Sequence, residues 1–161
     1  MTKNQIIIVI NGYDERTNDH DSNKIVIIKK EEKKNYQSGT FLETDMESVD
    51  DLIKAQSIIN KQASPINEII IINRNIDLNM ISYQHDYKYI KNNYLILANL
   101  LYFINLLISN FNNKLNFILS FENDSHYKVH TNIFNNSIIN YLNIFKDDLK
   151  GSHSITIKKL D

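Results

Sequence analysis

A chain of 161 residues, 42% of them apolar, is long enough to bury a core of its own and reads as one domain over residues 1–161. Eighteen Lys and Arg against nineteen Asp and Glu leave a formal net charge of −1, which argues against a partner held mainly by charge, such as duplex nucleic acid or an anionic membrane. Cysteine is absent, so thiolate nucleophiles, disulfides and Cys-based metal sites are excluded, and three glycines with one proline leave little for a nucleotide-binding loop.

The chain begins MTKNQ and enters a strand-like run at once, without the basic and apolar regions of a secretory leader. A cytoplasmic protein is the expectation. Gln5 to Ile10 (QIIIVI) is a continuous β-branched run, which suits a strand buried on both faces of a parallel sheet. Asn11 to Asn23 is polar, rich in turn formers and without apolar periodicity, and predicts a loop. Lys24 to Lys29 (KIVIIK) is a second strand. Tyr36 to Glu43 alternates weakly, as a short edge strand would.

Asp45 to Ala63 predicts a helix. Asp45 or Ser48 serves as its cap, and Val49, Leu52, Ile53, Ile58 and Ile59 form its apolar stripe. Pro65 marks its end. Glu68 to Asn73 (EIIIIN) is the third buried strand, and Arg74 to His85 is a connection of undefined form. Asp86 to Asn110 predicts a long helix. Its most apolar window, Tyr94 to Ile108, is interrupted by Asn99 and Asn105 and is shorter than the roughly 20 residues of a membrane span, so the helix reads as buried. Lys114 to Phe121 is the fourth strand and Glu122 to Thr131 a polar loop. Asn132 caps a helix to Phe145, with Ile133, Phe134, Ile138, Tyr141, Leu142 and Phe145 at helical spacing. Ser154 to Leu160 is the last strand. Strands alternating with helices imply right-handed crossovers and an α/β fold, a truncated Rossmann-like three-layer sandwich with a mostly parallel sheet whose first helix is reduced or missing.

A dinucleotide site in such a fold needs glycines after the first strand, so that the backbone approaches the pyrophosphate. Here that strand leads into Asn11-Gly12-Tyr13-Asp14-Glu15, with one glycine and two acidic side chains, and no GxxxxGK[ST] occurs. No cofactor site is predicted. Tyr87 and Lys91 have the Tyr-x-x-x-Lys spacing of short-chain dehydrogenases, in which an ammonium one turn from a phenol assists proton transfer. That chemistry needs a serine on a preceding strand end, and the strand before Tyr87 ends Asn73-Arg74. The pair therefore reads first as an amphipathic helical turn. His126 and His130 stand four apart, but in a loop-like segment without the Glu of a metalloprotease helix. His20 with Asp14, Asp19 and Asp21 reads as a solvated acidic loop, so no metal site is predicted. The Asn-x-Ser sequons at Asn123 and Asn135 read as accidents of an Asn-rich composition.

The order of elements from Glu68 onward resembles the structural subdomain of the ketoreductase region in polyketide synthases and related fatty acid synthases. The run Ile69 to Ile72 is followed by the leucine-rich stretch Leu95 to Ile108, the strand Leu115 to Leu119 and a variable loop. Then come a helix ending near Asp147-Asp148-Leu149 and a last strand closing on Leu160-Asp161, where such a subdomain hands over to its catalytic twin. The departures are Ser120-Phe121-Glu122-Asn123, where a Thr-x-Gly-Ala type segment is usual, and Lys146 in place of an acidic residue. The resemblance implies a pseudoenzyme that binds no cofactor. It would stabilise an adjacent NADPH-dependent catalytic subdomain or other synthase domains, with neither nucleic acid nor membrane as partner. Two alternatives stand beside it: a degenerate short-chain dehydrogenase using Tyr87 and Lys91, and a free-standing protein-interaction module.

Overall fold

Runs of Ile and Val make the strands, because branched side chains pack well on both faces of a buried sheet. The computed structural model describes residues 4–11, 24–28, 40–61, 66–73, 87–109, 115–121, 129–148 and 155–160. In chain order these form β1 (Gln5–Asn11), β2 (Lys24–Ile28), β3 (Thr40–Glu43), α1 (Val49–Lys61), β4 (Glu68–Asn73), α2 (Tyr87–Ser109), β5 (Leu115–Phe121), α3 (Val129–Asp148) and β6 (Ile155–Leu160). The sheet has the order β3-β2-β1-β4-β5-β6, and every neighbouring pair is parallel. This is the Rossmann-like α/β architecture expected from the strand pattern. The weakly alternating segment before α1 supplies the edge strand β3 over Thr40–Glu43, and the rest of the predicted strand lies outside the described residues.

Register sorts the strand residues onto two faces. Ile6 lies opposite Ile25 on one side and Ile69 on the other, and Ile69 lies opposite Phe117. These residues, with Ile8, Ile27 and Ile71, belong to the large core that includes the inward sides of α1, α2 and α3. All three described helices therefore cover one face, with α2 touching both α1 and α3. On the opposite face Ile7, Val9, Val26, Ile70 and Ile72 form a second buried cluster. The three helices that the sequence predicts all lie on the first face, and among the described residues none covers this one; the predicted loop after β1 lies outside the described residues. At the amino edge the Asn4 carbonyl accepts from the backbone N–H groups of Asn67 and Glu68, and Gln5 Nε2 donates to Glu68 Oε1, which ties β1 to β4.

Ser48 caps α1: its Oγ accepts from the Asp51 N–H at 3.3 Å. Asp45, the other candidate, instead accepts from the Glu47 N–H at 2.9 Å and shapes the turn before the helix. Replacing Ser48 by Ala is expected to cost about 1 kcal/mol, read as a shift of the urea midpoint at constant slope. The predicted stripe needs correction. Leu52, Ala55 and Ile59 are the buried residues of α1, whereas Val49, Ile53 and Ile58 are exposed. The buried three recur at i, i+3 and i+7, the spacing that keeps side chains on one helical face; the β-branched residues at the stripe's flanks lie outside that arc.

α2 also differs from expectation. Leu97, Leu100, Phe103, Ile104 and Leu107 point into the core, but Tyr94, Leu95 and Tyr102 are 37%, 41% and 43% exposed. The helix is buried on one side only. Asn99 Nδ2 donates to the Met46 carbonyl at 3.0 Å and fastens α2 to the turn before α1. No helix among the described residues is long and apolar enough to cross a membrane.

α3 begins at Val129, so the predicted loop to Thr131 is shorter at its end, and Asn132 is an interior residue rather than the cap. Nothing in Val129-His130-Thr131 breaks a helix; their polarity alone suggested a loop. Phe134, Ile138 and Leu142 are buried at successive i+4 steps, while Ile133 is exposed. Tyr141 and Phe145 pack as a tilted ring pair with centroids 5.1 Å apart. Partial burial raises the Tyr141 phenol above its ordinary 10.0 by desolvating the phenolate. A raised phenol adds stability below the unfolded value and loses it as pH climbs through the folded one. The stability difference between the native chain and Tyr141→Phe is therefore expected to be constant from about pH 7 to 9 and to shift against the native chain above about pH 10. Urea unfolding across that range checks it.

Candidate functional site

The chain passes from β1 outward to β2 and β3, then returns to β4 on the other side of β1. In open parallel sheets ligands bind outside the carboxyl ends of the strands at such a reversal. The residues there are set by register. Asn73, the last residue of β4, lies opposite Asn11 of β1 and Phe121 of β5, and the β1–β4 register shifts between Val9 and Asn11. One step back, Ser120 lies opposite Ile72 and is wholly buried.

α3 supplies the wall beside this edge. Asn73 Nδ2 donates to Asn135 Oδ1 at 2.8 Å, and both side chains are buried. Two amides that would each cost free energy if buried alone thus satisfy one another, and strand β4 is latched to α3. Asn135 is flanked by Phe134, and Ile138 follows one turn on; both are core residues. The edge is therefore lined by amides, one hydroxyl and apolar side chains. Among the described residues named here, none carries a charge. The arrangement holds a strand end and a helix together, and the described residues named here include neither a general base nor a cation.

Tyr87 and Lys91 sit on the first turns of α2, which precedes β5 and its Ser120. Tyr87 is 78% exposed and Lys91 is exposed as well. The fold thus does not bring this pair together with Ser120 on one strand–helix unit. An ammonium assists a phenol most where water is excluded, and these side chains face solvent. α3, the helix that follows Ser120, contains no Tyr-x-x-x-Lys: Tyr141 is followed four residues later by Phe145.

His126, His20, Asp14, Asp19 and Asp21 lie outside the described residues, as does Gly12. Among the described residues no group of three His, Asp or Glu could hold a metal ion. The sequon residue Asn135 is buried in its bond to Asn73 and is closed to glycosylation, whereas Asn123 lies outside the described residues. Sequence reasoning passed over the Asn73–Asn135 latch. Its one visible signal was an Asn closing an all-Ile strand.

No protein-family model matches the chain, and no curated protein matches it. Solved structures do. A short-chain dehydrogenase/reductase (glucose/ribitol dehydrogenase) from Brucella melitensis superposes with a TM-score of 0.67 at 10% identity, covering 98% of this chain and 74% of that one. A short chain dehydrogenase family protein from Francisella tularensis gives 0.62 at 13% identity, over 92% of this chain and 64% of that one. The Bacillus cereus enoyl-acyl carrier protein reductase, solved with NADP+ and indole naphthyridinone, gives 0.59 at 9% identity, over 95% and 70%. In fold, this chain is a Rossmann-like α/β domain of the short-chain dehydrogenase/reductase type.

Proposed function

We propose that the chain is a non-catalytic structural subdomain of the kind found in polyketide synthase ketoreductase regions, cytoplasmic, stabilising an adjacent NADPH-dependent catalytic subdomain. The observation that carries this reading is the inward side of α3. A short-chain dehydrogenase needs its Tyr and Lys one turn apart on the helix that follows the serine-bearing strand. Here Phe134 and Ile138, an i, i+4 pair on the inward side of α3, are both sealed in the core, and Asn135 beside Phe134 is bonded to Asn73. Phenyl and alkyl groups move no protons, and the amide latch occupies the space beside them.

The reading expects the adjoining coding sequence to specify a short-chain-dehydrogenase-like segment with a glycine-rich loop and its own Tyr-x-x-x-Lys. It also expects that segment to lose soluble yield when expressed without this chain. An adjoining sequence lacking such a segment would overturn it. The second reading, a degenerate reductase using Tyr87 and Lys91, draws on their spacing and their access to solvent. It predicts that Tyr87→Phe abolishes carbonyl reduction with NADPH.

A further inference from the structure

The interior of β4 is one residue type repeated. Ile69, Ile70, Ile71 and Ile72 are all buried, Ile69 and Ile71 towards the helices and Ile70 and Ile72 in the second cluster. A slip of one residue moves every side chain of a strand to the other face, and a strand with one polar face resists it for that reason. Here the slip sets isoleucine where isoleucine stood. The neighbours, Ile6 to Val9 of β1 and Phe117 to Ser120 of β5, then meet the same side chains as before. Backbone bonds do not choose between the alignments either, because every residue except proline supplies them. Apolar packing alone therefore leaves the register of this central strand open.

The two ends of the run are polar and buried. Glu68 is 4% exposed and accepts from Gln5 Nε2; Asn73 is 3% exposed and donates to Asn135. Alternation places Glu68 on the face of Ile70 and Ile72, and Asn73 on that of Ile69 and Ile71. We infer that Glu68 and Asn73 are register clamps, polar residues that fit the fold at one alignment of β4 only. The inference is independent of the scaffold reading. A slip towards the carboxyl edge carries Glu68 into the place of Ile69, a carboxylate among apolar side chains under the helices. A slip towards the amino edge carries Asn73 into the place of Ile72, inside a cluster of Ile and Val. Each clamp blocks one direction. Their partners lie on β1 and α3, so the strand is fixed against its neighbour and against the helix layer at once. Selecting one arrangement among several that packing allows is the best-supported use of buried polar groups. The residue before Glu68 is Asn67. With Glu68 replaced by Ile, a slip towards the carboxyl edge brings Asn67 opposite Gln5, while every interior place is still filled by Ile.

NMR of the whole chain carrying 15N-isoleucine tests this. The native chain is expected to give one signal for each of Ile69 to Ile72, with cross-strand contacts that pair Ile69 with Ile6 and Phe117. The triple variant Glu68→Ile, Asn73→Ile, Asn135→Leu lacks both clamps, and the amide that Asn73 would orphan is removed with it. A second set of β4 signals is expected there, with contacts displaced by one residue. Glu68→Ile alone keeps the bond of Asn73 to Asn135 and gives a test that does not depend on the triple variant folding. Its amide exchange at Ile69 to Ile72 is expected to rise roughly 10-fold or more, with that of Ile25 to Ile27 in β2 unchanged. A mere loss of global stability raises both equally. Glu68→Gln keeps a polar end on the run and is expected to exchange as the native chain does. A folded triple variant with one set of β4 signals at the native pairing overturns the inference. So does exchange in Glu68→Ile that is unchanged in β4 or rises equally in β2 and β4.

Discussion

Phe103→Ala is expected to remove about 3–5 kcal/mol of unfolding free energy, the cost of truncating a buried ring. Phe103 is fully buried on the inward side of α2, within the core that joins all three described helices to the sheet. α2 is the middle helix and touches both neighbours, so a void beneath it is not easily closed by collapse from one side. A domain stability of roughly 5–15 kcal/mol would leave the variant marginal or unfolded. Urea unfolding measures the loss directly. A cost below about 1.5 kcal/mol would mean that the helix does not pack as described, since that range belongs to volume-conserving swaps.

Ile138→Lys is the second large effect, and it bears on chemistry as well as stability. If the edge beneath α3 were an open catalytic crevice, a lysine at the inward position one turn from Phe134 would be tolerated, because water would solvate the ammonium. Ile138 is instead wholly buried between Phe134 and Leu142. An ammonium there has no charged partner among the residues described around it, and its desolvation costs several kcal/mol. The variant is expected to lose most of its soluble folded protein, whereas Ile138→Val should lose only about 0.5–1.5 kcal/mol. A folded, stable Ile138→Lys chain would show that the position is not sealed.

The strands were legible because period and composition agree in them. EIIIIN and QIIIVI are too apolar and too branched to be anything but buried strands, and the structure moves their ends by a single residue or less. The face of a helix was harder to read. Between Tyr94 and Ile108 α2 is apolar except at Asn99 and Asn105, so periodicity could not say which side is covered; packing against α1, α3 and the sheet decides it, and leaves Tyr94, Leu95 and Tyr102 outside. In α1 the branched residues Val49, Ile53 and Ile58 drew attention from Ala55, whose small side chain is what the core takes there. The start of α3 was misplaced because Asn132 looks like a cap, although a cap is defined by what its side chain accepts, and sequence does not show that. Of the candidate site, the Tyr87–Lys91 spacing was legible, and the structure places both residues on exposed turns of α2. The Asn73–Asn135 latch joins residues 62 positions apart, and no local pattern reveals a pairing at that distance.

The proposed scaffold role requires that this chain bind no NADPH and do no dehydrogenase chemistry. Titration of NADPH into the purified chain, followed by calorimetry and by nucleotide fluorescence, tests it most directly. The expected result is no saturable binding up to millimolar nucleotide, an affinity weaker than about 4 kcal/mol. Saturable binding at micromolar concentration would contradict the account and turn attention back to Tyr87 and Lys91.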